Sequence, residues 1–550
     1  MKKIILTLVF ATSLFNSCSD FIEEESLAFS PADEAFKTAA GYQLLVNSNY
    51  AWLKGIYGGD PWLFVSGTDM YAEGRTPEPA GLSQYTQLIP ASEGVDQLYM
   101  SCYQLIQSVN KTVYYSTLTE QTPSVPVMVG EARFLRANAY FLMVQTYGGV
   151  PIVEENFTIP VLQFNRNTAQ EVYAYIIKEL EASLAAVNTS AYASSGRVNK
   201  KAVNDLLAKV YLTRGYETFG LSTDFATAAT YADAAIAGQP LTMTPAQLSS
   251  PGTANELGPE TIFSVQYDLQ STSTSPTTLG NKQFYFFSSY LGGAETQGNA
   301  PLRSYNLCPT KYAIELFKQG DLRWEATFMN VVYERYYDFF RVADKSTLKI
   351  KHYYEPTWYT AADKTAWMTA NASKLATGFI YHDKGTYDAA YTLVKNLDYQ
   401  TIPVKKFDDP ALTTPSSTGP VSTRDIIVSR LADTYLIAAE AYLKAGNPGV
   451  GLARLNTVRT RAGVPSATSA EFNINYILDE RGREMLGEYN RWFDLKRTGT
   501  LVTRAVQYNY KITNASQFNG NGGNQKILRP IPQTVLDLNQ NKNFPQNPAY

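Results

Sequence analysis

The chain has 550 residues, with 47 Lys and Arg against 50 Asp and Glu, for a net charge of −3. That near balance argues against nucleic acid or an anionic membrane surface as the main partner. The length is ample for a large core or two fused halves, and only two histidines are available for imidazole chemistry.

The first segment runs Met1-Lys2-Lys3, then an apolar stretch from Ile4 to about Leu14, then Phe15-Asn16-Ser17-Cys18. Lysines in front of a run this short suit a secretory signal, because a stable membrane span needs about 20 apolar residues. It resembles a bacterial lipoprotein signal, in which a small residue, here Ser17, precedes a cysteine that is acylated and becomes the new N-terminus. Phe15 departs from that pattern, where leucine is usual. The alternative is an ordinary cleaved signal with an incidental cysteine. On the first reading residues 1–17 are removed, Cys18 carries lipid, and the net charge becomes −5. Residues 18–28, with Glu23-Glu24-Glu25, then form a solvated acidic tether that resembles the sorting signal of lipoproteins sent to the outer cell surface. Cys102 and Cys308 either pair in an oxidising compartment or stay as buried thiols, and their sequence separation does not decide which. Beyond the leader no apolar run is long enough to span a membrane.

Helical periodicity then takes over. Segments 33–50, 130–147 and 168–187 read as helices. Val203, Leu206, Leu207, Val210 and Tyr211 form one stripe, followed by Phe225, Ala228, Ala229, Ala232, Ala235 and Ile236. Late in the chain Ala432, Tyr435, Leu436, Ala439, Tyr442 and Leu443 share a face, and Gly446-Asn447-Pro448-Gly449 stops that helix before a second one runs to about Arg461. The letters echo: Ala208-Lys-Val-Tyr-Leu-Thr-Arg-Gly215 matches Ala439-Glu-Ala-Tyr-Leu-Lys-Ala-Gly446. Small contact residues, a Tyr-Leu pair and a glycine stop resemble tetratricopeptide helix pairs. The expected fold is therefore mainly α, an α-solenoid of such pairs with long irregular loops and a few short strands. Between about 238 and 424 the period fails in a stretch rich in Ser, Thr, Pro, Gly and aromatics, where Thr261–Val265 reads as a strand. The expected organisation is a helical region at 29–240, an irregular ligand-binding region at 241–425 and a C-terminal region at 426–550, with 29–550 as one compact unit.

The C-terminal region carries the most specific motif: Ile477-Leu-Asp-Glu-Arg-Gly-Arg-Glu-Met-Leu-Gly-Glu-Tyr-Asn-Arg-Trp-Phe-Asp-Leu-Lys-Arg-Thr-Gly499. Arg461-Ala-Gly-Val-Pro465 precedes it, and Leu528-Arg-Pro-Ile-Pro-Gln533 and Gln546-Asn-Pro-Ala-Tyr550 follow. Upstream stand Gly130-Glu-Ala-Arg-Phe-Leu-Arg-Ala137, Tyr147-Gly-Gly-Val-Pro151, Pro309-Thr310 and Asp321-Leu-Arg323. In this order the motifs resemble the SusD/RagB family of outer-membrane nutrient-binding lipoproteins; Ala549 replaces a glycine of the closing pattern. The resemblance implies a surface-exposed lipoprotein of the outer membrane without catalytic activity or cofactor. It would bind an oligosaccharide or polysaccharide, or sometimes a peptide, and sit as a lid on a SusC-like TonB-dependent transporter.

The residues themselves read mostly as structure in the signature block. Asp479 and Glu480 lie four and three residues before Arg483, as acid-before-base pairs on one helix surface, while Trp492 and Phe493 pack that helix onto the core. Trp52 and Trp324 fall in helical patterns and are assigned to the core. His352 and His382 sit in no metal-ligand or nucleophile motif; the 50 acidic residues could supply a carboxylate pair for glycoside hydrolysis, against the plainer reading of solvated charges.

A saccharide site needs flat rings against pyranose C–H faces and polar groups at the edges. Two segments offer both: Gly58–Phe64 running to Asp69, Tyr71 and Arg75, and Phe284–Tyr290. Trp62 is the first candidate, because Gly58-Gly-Asp-Pro61 makes a turn able to expose its ring. Tyr285 and Tyr290 come next, serving together only if their segment bends, and Trp358, beside Tyr359, is a third. Asp69 either contacts ligand or braces the fold. The excess of tyrosine, 39 against 26 Phe and 6 Trp, suggests half-exposed rings.

Overall fold

Local starts and stops build a stack of helix pairs. The computed structural model describes residues 32–74, 78–268, 280–287, 294, 298–304, 306–387, 401–410 and 422–550; Cys18, the leader and the tether lie outside them. Helices of seven residues or more, among the described residues, are α1 (Ala39–Tyr57), α2 (Gln97–Tyr115), α3 (Val125–Tyr147), α4 (Ala169–Ala186), α5 (Lys200–Arg214), α6 (Asp224–Ile236), α7 (Ala361–Asn371), α8 (Leu431–Lys444), α9 (Pro448–Arg461), α10 (Ile474–Glu484), α11 (Arg491–Arg497) and α12 (Leu501–Tyr508). Thr38 caps α1, Asn199 caps α5, and Thr168 with Glu171 forms a capping box on α4; each such cap is worth about 1 kcal/mol. Pro448 opens α9 just after Gly446 takes φ +83°, a conformation open to glycine because it lacks a Cβ.

Neighbours pack in sequence, α1 on α2, α2 on α3, then onward through α4 and α5 to α6. Next in the stack comes α8, which follows α6 in space although nearly two hundred residues separate them in the chain, and α9 completes the last pair. At the α5–α6–α8 junction the echoing segments meet: Ala208, Leu212, Ala228, Ala229, Ala232, Ile437, Ala438 and Ala441 form one small-residue cluster. Methyl side chains there let the helices approach closely while excluding water.

The excursion between α6 and α8 is tied at its base. Strands are β1 (Tyr71–Glu73), β2 (Thr261–Val265), β3 (Leu307–Pro309), β4 (Val331–Tyr333), β5 (Ile350–Tyr354), β6 (Leu375–His382) and β7 (Ile426–Arg430). Every residue of β2 is buried, and β2 runs antiparallel to β7, Thr261 opposite Arg430 and Val265 opposite Ile426. Because β7 leads straight into α8, this pair returns the chain to the solenoid. Within the excursion β4 pairs antiparallel and β6 parallel with β5; α7 makes the crossover that a parallel pair requires. β1 pairs with β3, Tyr71 opposite Pro309, which fastens the N-terminal region to the excursion.

The signature block is an ionic lattice. Glu480 meets Arg323 and Arg459 at 2.7 Å and Arg483 at 2.6 Å. Glu484 is held by Arg430 at 2.6 Å, by Arg323 at 3.2 Å and by Arg461. Arg481 bridges Asp433 and Asp494 at 2.8 and 2.7 Å, and Arg497 holds Glu440 at 2.8 Å. Burial would raise the Glu480 carboxyl, but the three guanidiniums outweigh it and bring it down to about 2. The Glu480–Arg483 pair forms as expected, with Glu480 buried and Arg483 partly buried. Asp479 does not pair with Arg483; it reaches Arg504 at 2.6 Å.

Trp492, Phe493 and Trp324 are buried as expected. Trp52 is not: it is 41% exposed, because α1 is the first layer and is covered on one face, where Val46, Leu53 and Ile56 point. The tyrosine excess also resolves differently. Many rings are fully buried with their hydroxyls satisfied by backbone, as in Tyr147 to Val95 O at 2.6 Å, Tyr85 to Gly67 O at 3.1 Å and Tyr387 to Glu355 O at 2.7 Å. Cys102 on α2 and Cys308 on β3 are both buried thiols.

Candidate ligand surface

The two aromatic segments nominated from sequence come together at the C-terminal end of α1. Lys282 N donates to Gly58 O at 3.3 Å, and its ammonium lies 3.6 Å from the Asp60 carboxylate. Trp62 meets Phe286 edge-on at 4.9 Å between ring centres, and Tyr71 meets Phe287 at 5.1 Å.

Their large rings turn inward. Trp62 begins a one-turn helix, Trp62–Val65, whose four residues are all buried and which packs on α11. The Gly58–Pro61 turn thus drives Trp62 into the core instead of displaying it; the ring is 5% exposed and Tyr71 is 1% exposed. Asp69 has no exposure and is clamped by Arg491 at 2.7 Å and Arg504 at 2.8 Å, so of its two readings the bracing one describes the observed geometry. Trp62, Tyr71 and Asp69 offer no surface to a ligand in this arrangement.

What this junction leaves at the surface is a rim of Asp60, Lys282 and Tyr285, all half-buried. Gln283–Phe286 is a single helical turn, which splits the segment into buried Phe284 and Phe286 with Tyr285 facing outward between them. Burial raises the Tyr285 hydroxyl pKa, and the nearby Asp60 carboxylate adds to the shift. Tyr290 and Arg75 lie outside the described residues.

A second aromatic group stands on the excursion. Trp358 is half-buried and meets buried Trp324 edge-on at 5.0 Å. Beyond it Trp367 of α7 stacks on Tyr353 at 3.7 Å, lies nearly parallel to Phe379 at 6.1 Å, and meets Tyr381 edge-on at 6.0 Å. Lys364 sits 4.5 Å over the Tyr381 ring. Trp367, Phe379 and Tyr381 were not singled out from sequence. The available signal was the i, i+2 spacing of Phe379 and Tyr381, which puts both on one face of a strand.

The two histidines meet on neighbouring parallel strands, Nδ1 of His352 3.1 Å from Nε2 of His382. Tyr354 stacks on His382 at 4.2 Å. Burial lowers both imidazoles, to about 4 for His352, with Lys351 contributing, and to about 3 for His382, with His352 contributing. At neutral pH both rings are uncharged, and one donates to the other. Among the described residues no group of three or more His, Cys, Asp and Glu side chains is gathered to hold a metal ion, and no helix is long and apolar enough to cross a membrane.

Comparison with known proteins places this architecture. Residues 259–550 match the model of the SusD family, and residues 20–212 match a family described as starch-binding and associating with the outer membrane. SusD-like protein P38 of Formosa agariphila is 24% identical over 545 residues, covering 91% of this chain and 92% of its own. Starch-binding protein SusD of Bacteroides thetaiotaomicron is 34% identical over 131 residues, 23% of this chain and 22% of its own. Among solved structures, a laminarin-binding SusD-like protein superposes with a TM-score of 0.68 at 21% identity, covering 94% of this chain and all of that one. Surface glycan-binding protein A from Bacteroides thetaiotaomicron, in complex with laminarihexaose, gives 0.67 at 18% identity over 93% of this chain and 100% of that one. With more than half of its length matched by the family model, and the helix-pair solenoid shared with these structures, the chain belongs to the SusD/RagB family.

Proposed function

We propose that this protein is a non-catalytic lipoprotein of the outer cell surface that binds an oligosaccharide or polysaccharide and passes it to a SusC-like TonB-dependent outer-membrane transporter. Family membership supports the binding role, and the names of its relatives, one a starch-binding protein and one bound to laminarihexaose, favour a glycan. The observation that carries the reading on this chain is the meeting of residues 58–62 with 282–286. It sets a half-buried tyrosine face beside an amine and a carboxylate, the combination that covers a pyranose face while bonding its hydroxyls.

Cys18 would hold the lipid, with residues 18–28 as its tether, so that residues 29–550 face the medium. Tethering beside a transporter raises the effective ligand concentration at the pore, and modest intrinsic affinity then suffices. The test is a binding screen of purified protein over soluble polysaccharides, repeated with Tyr285→Ala. Retardation by at least one glycan, weakened about tenfold by the substitution, is expected. Binding of peptides with no binding of any glycan would replace the reading, and polysaccharide turnover abolished by a carboxylate substitution would end it.

A further inference from the structure

Along α1 a second surface feature opens, apart from the rim. Asn47, Tyr50, Ala51 and Lys54, spaced three, four and seven residues apart on one side of the helix, face the turn Ser195–Arg197 and the end of β2, at Ser264–Gln266. Between them lies an open groove of about 290 Å³, whereas the two cavities inside the ionic lattice hold only about 70 and 80 Å³. Its walls are preset. Arg197 donates to Asn47 Oδ1 at 2.9 Å and to Glu131 at 2.6 Å, and its guanidinium lies 5.0 Å over the Tyr50 ring. Across the groove Gln266 donates to Gly196 O at 2.8 Å.

Buried Tyr267 stands between the groove and the rim. Lys54 sits 4.7 Å over the ring of Tyr267. The Tyr267 hydroxyl is buried, abuts Gly58 so closely that a side chain there would collide with it, and has no hydrogen-bond partner among the described residues. Gly58 in turn accepts from Lys282, the partner of Asp60. From Asn47 to Tyr57 the helix advances about 15 Å at 1.5 Å per residue, and the rim extends the path further. The charges along it are largely balanced: Arg197 by Glu131 and Lys282 by Asp60, while burial lowers the Lys54 pKa against the opposing pull of Asp268.

We propose that groove and rim form one extended track for a neutral polyhydroxylated chain of several sugar residues, entered along α1 and ending at Tyr285. The balanced charge disfavours a polyanion, since a uronate chain would find few uncompensated cations. Amide, hydroxyl and guanidinium groups without an open ring face suit hydroxyl edges in the groove, leaving stacking to the rim. The inference rests on the glycan-binding reading and deepens it by naming chain length and charge.

The experiment is titration calorimetry of the mature protein with size ladders, disaccharide to hexasaccharide, of β-1,3-glucan, α-1,4-glucan, β-1,4-mannan and oligogalacturonate. The expected result is a neutral ladder whose affinity rises at least tenfold from trisaccharide to hexasaccharide. Ala51→Trp, which fills the groove from an exposed position, and Gln266→Ala should each lower hexasaccharide affinity about fivefold or more, with the loss growing as the chain lengthens. If Ala51→Trp does not fold, Gln266→Ala decides. Affinity that is flat with length, variants that leave hexasaccharide binding intact, or binding confined to oligogalacturonate would overturn the track while sparing the glycan reading. Failure of every ladder together with the polysaccharide screen would take both.

Discussion

Asp69 and Arg491 stand 422 residues apart in the chain and meet in the core as a two-pronged ion pair, Oδ1 to Nε and Oδ2 to Nη2, each at 2.7 Å. Arg504 adds a third bond at 2.8 Å. Burial would raise the carboxyl pKa, but the two guanidiniums prevail and hold it below the ordinary carboxylate value. This clamp fastens the loop before β1 to α11 and α12. Asp69→Asn leaves Arg491 buried without an anion, while Arg504 keeps Asp479, and breaking a buried pair in this way costs about 3–5 kcal/mol. Chemical denaturation should show a loss of that size; an unchanged midpoint would contradict a bracing role.

Trp62 and Tyr285 should separate stability from binding. Trp62→Ala removes a buried indole packed on Phe286, and such truncations cost about 3–5 kcal/mol. Tyr285→Ala removes a half-buried ring at the rim and should cost about 1 kcal/mol or less in folding while weakening glycan affinity about tenfold. Thermal melts of both variants beside glycan titrations test this, and the opposite ordering would reverse the assignment of the two rings.

The histidine pair predicts a direction of acid sensitivity. His352 and His382 titrate near 4 and 3 in the fold, against about 6.5 when unfolded. Between those values the unfolded chain binds more protons, so stability falls as pH drops from about 6.5 toward 4. Phe at both positions should flatten that part of the pH–stability profile, read from urea midpoints at pH 7, 6, 5 and 4.5. A wild-type curve level across that interval would refute the assignment.

Cys102 is wholly enclosed, and burial pushes its thiol well above the ordinary range; Cys308 is 1% exposed. Neither should react with an aromatic disulfide reagent in the native protein, and both should react in denaturant without prior reduction. Two equivalents released only on unfolding is the expected titration, and none in denaturant would mean that the two are oxidised.

The helix pairs were legible because their determinants are local. The stripe from Ala432 to Leu443 became Leu431–Lys444, the strand at Thr261–Val265 formed at those residues, and Pro448 opened the next helix as its place after a glycine stop foretold. Apolar spacing, caps and glycine stops act within a few residues. The ionic lattice was only half legible. Glu480 and Arg483 are three residues apart and read as a pair, but Arg323, Arg430 and Arg459 come from other elements. No spacing rule connects them to α10.

From its own residues the chain determined the helices, their order and, through the motif series ending at Tyr550, its family. Tertiary structure alone decided which rings face solvent. Trp62 follows a turn able to expose it, yet Phe286 and the packing of Trp62–Val65 against α11 draw it inward; Tyr285, between two buried phenylalanines, was left outside. Periodicity is a property of neighbours three or four residues apart, whereas the direction of a loop side chain depends on surfaces brought to it from hundreds of residues away. The same holds for the α1 groove, whose opposite wall begins at Ser195 and ends at Gln266 and exists only once α5 and β2 have docked.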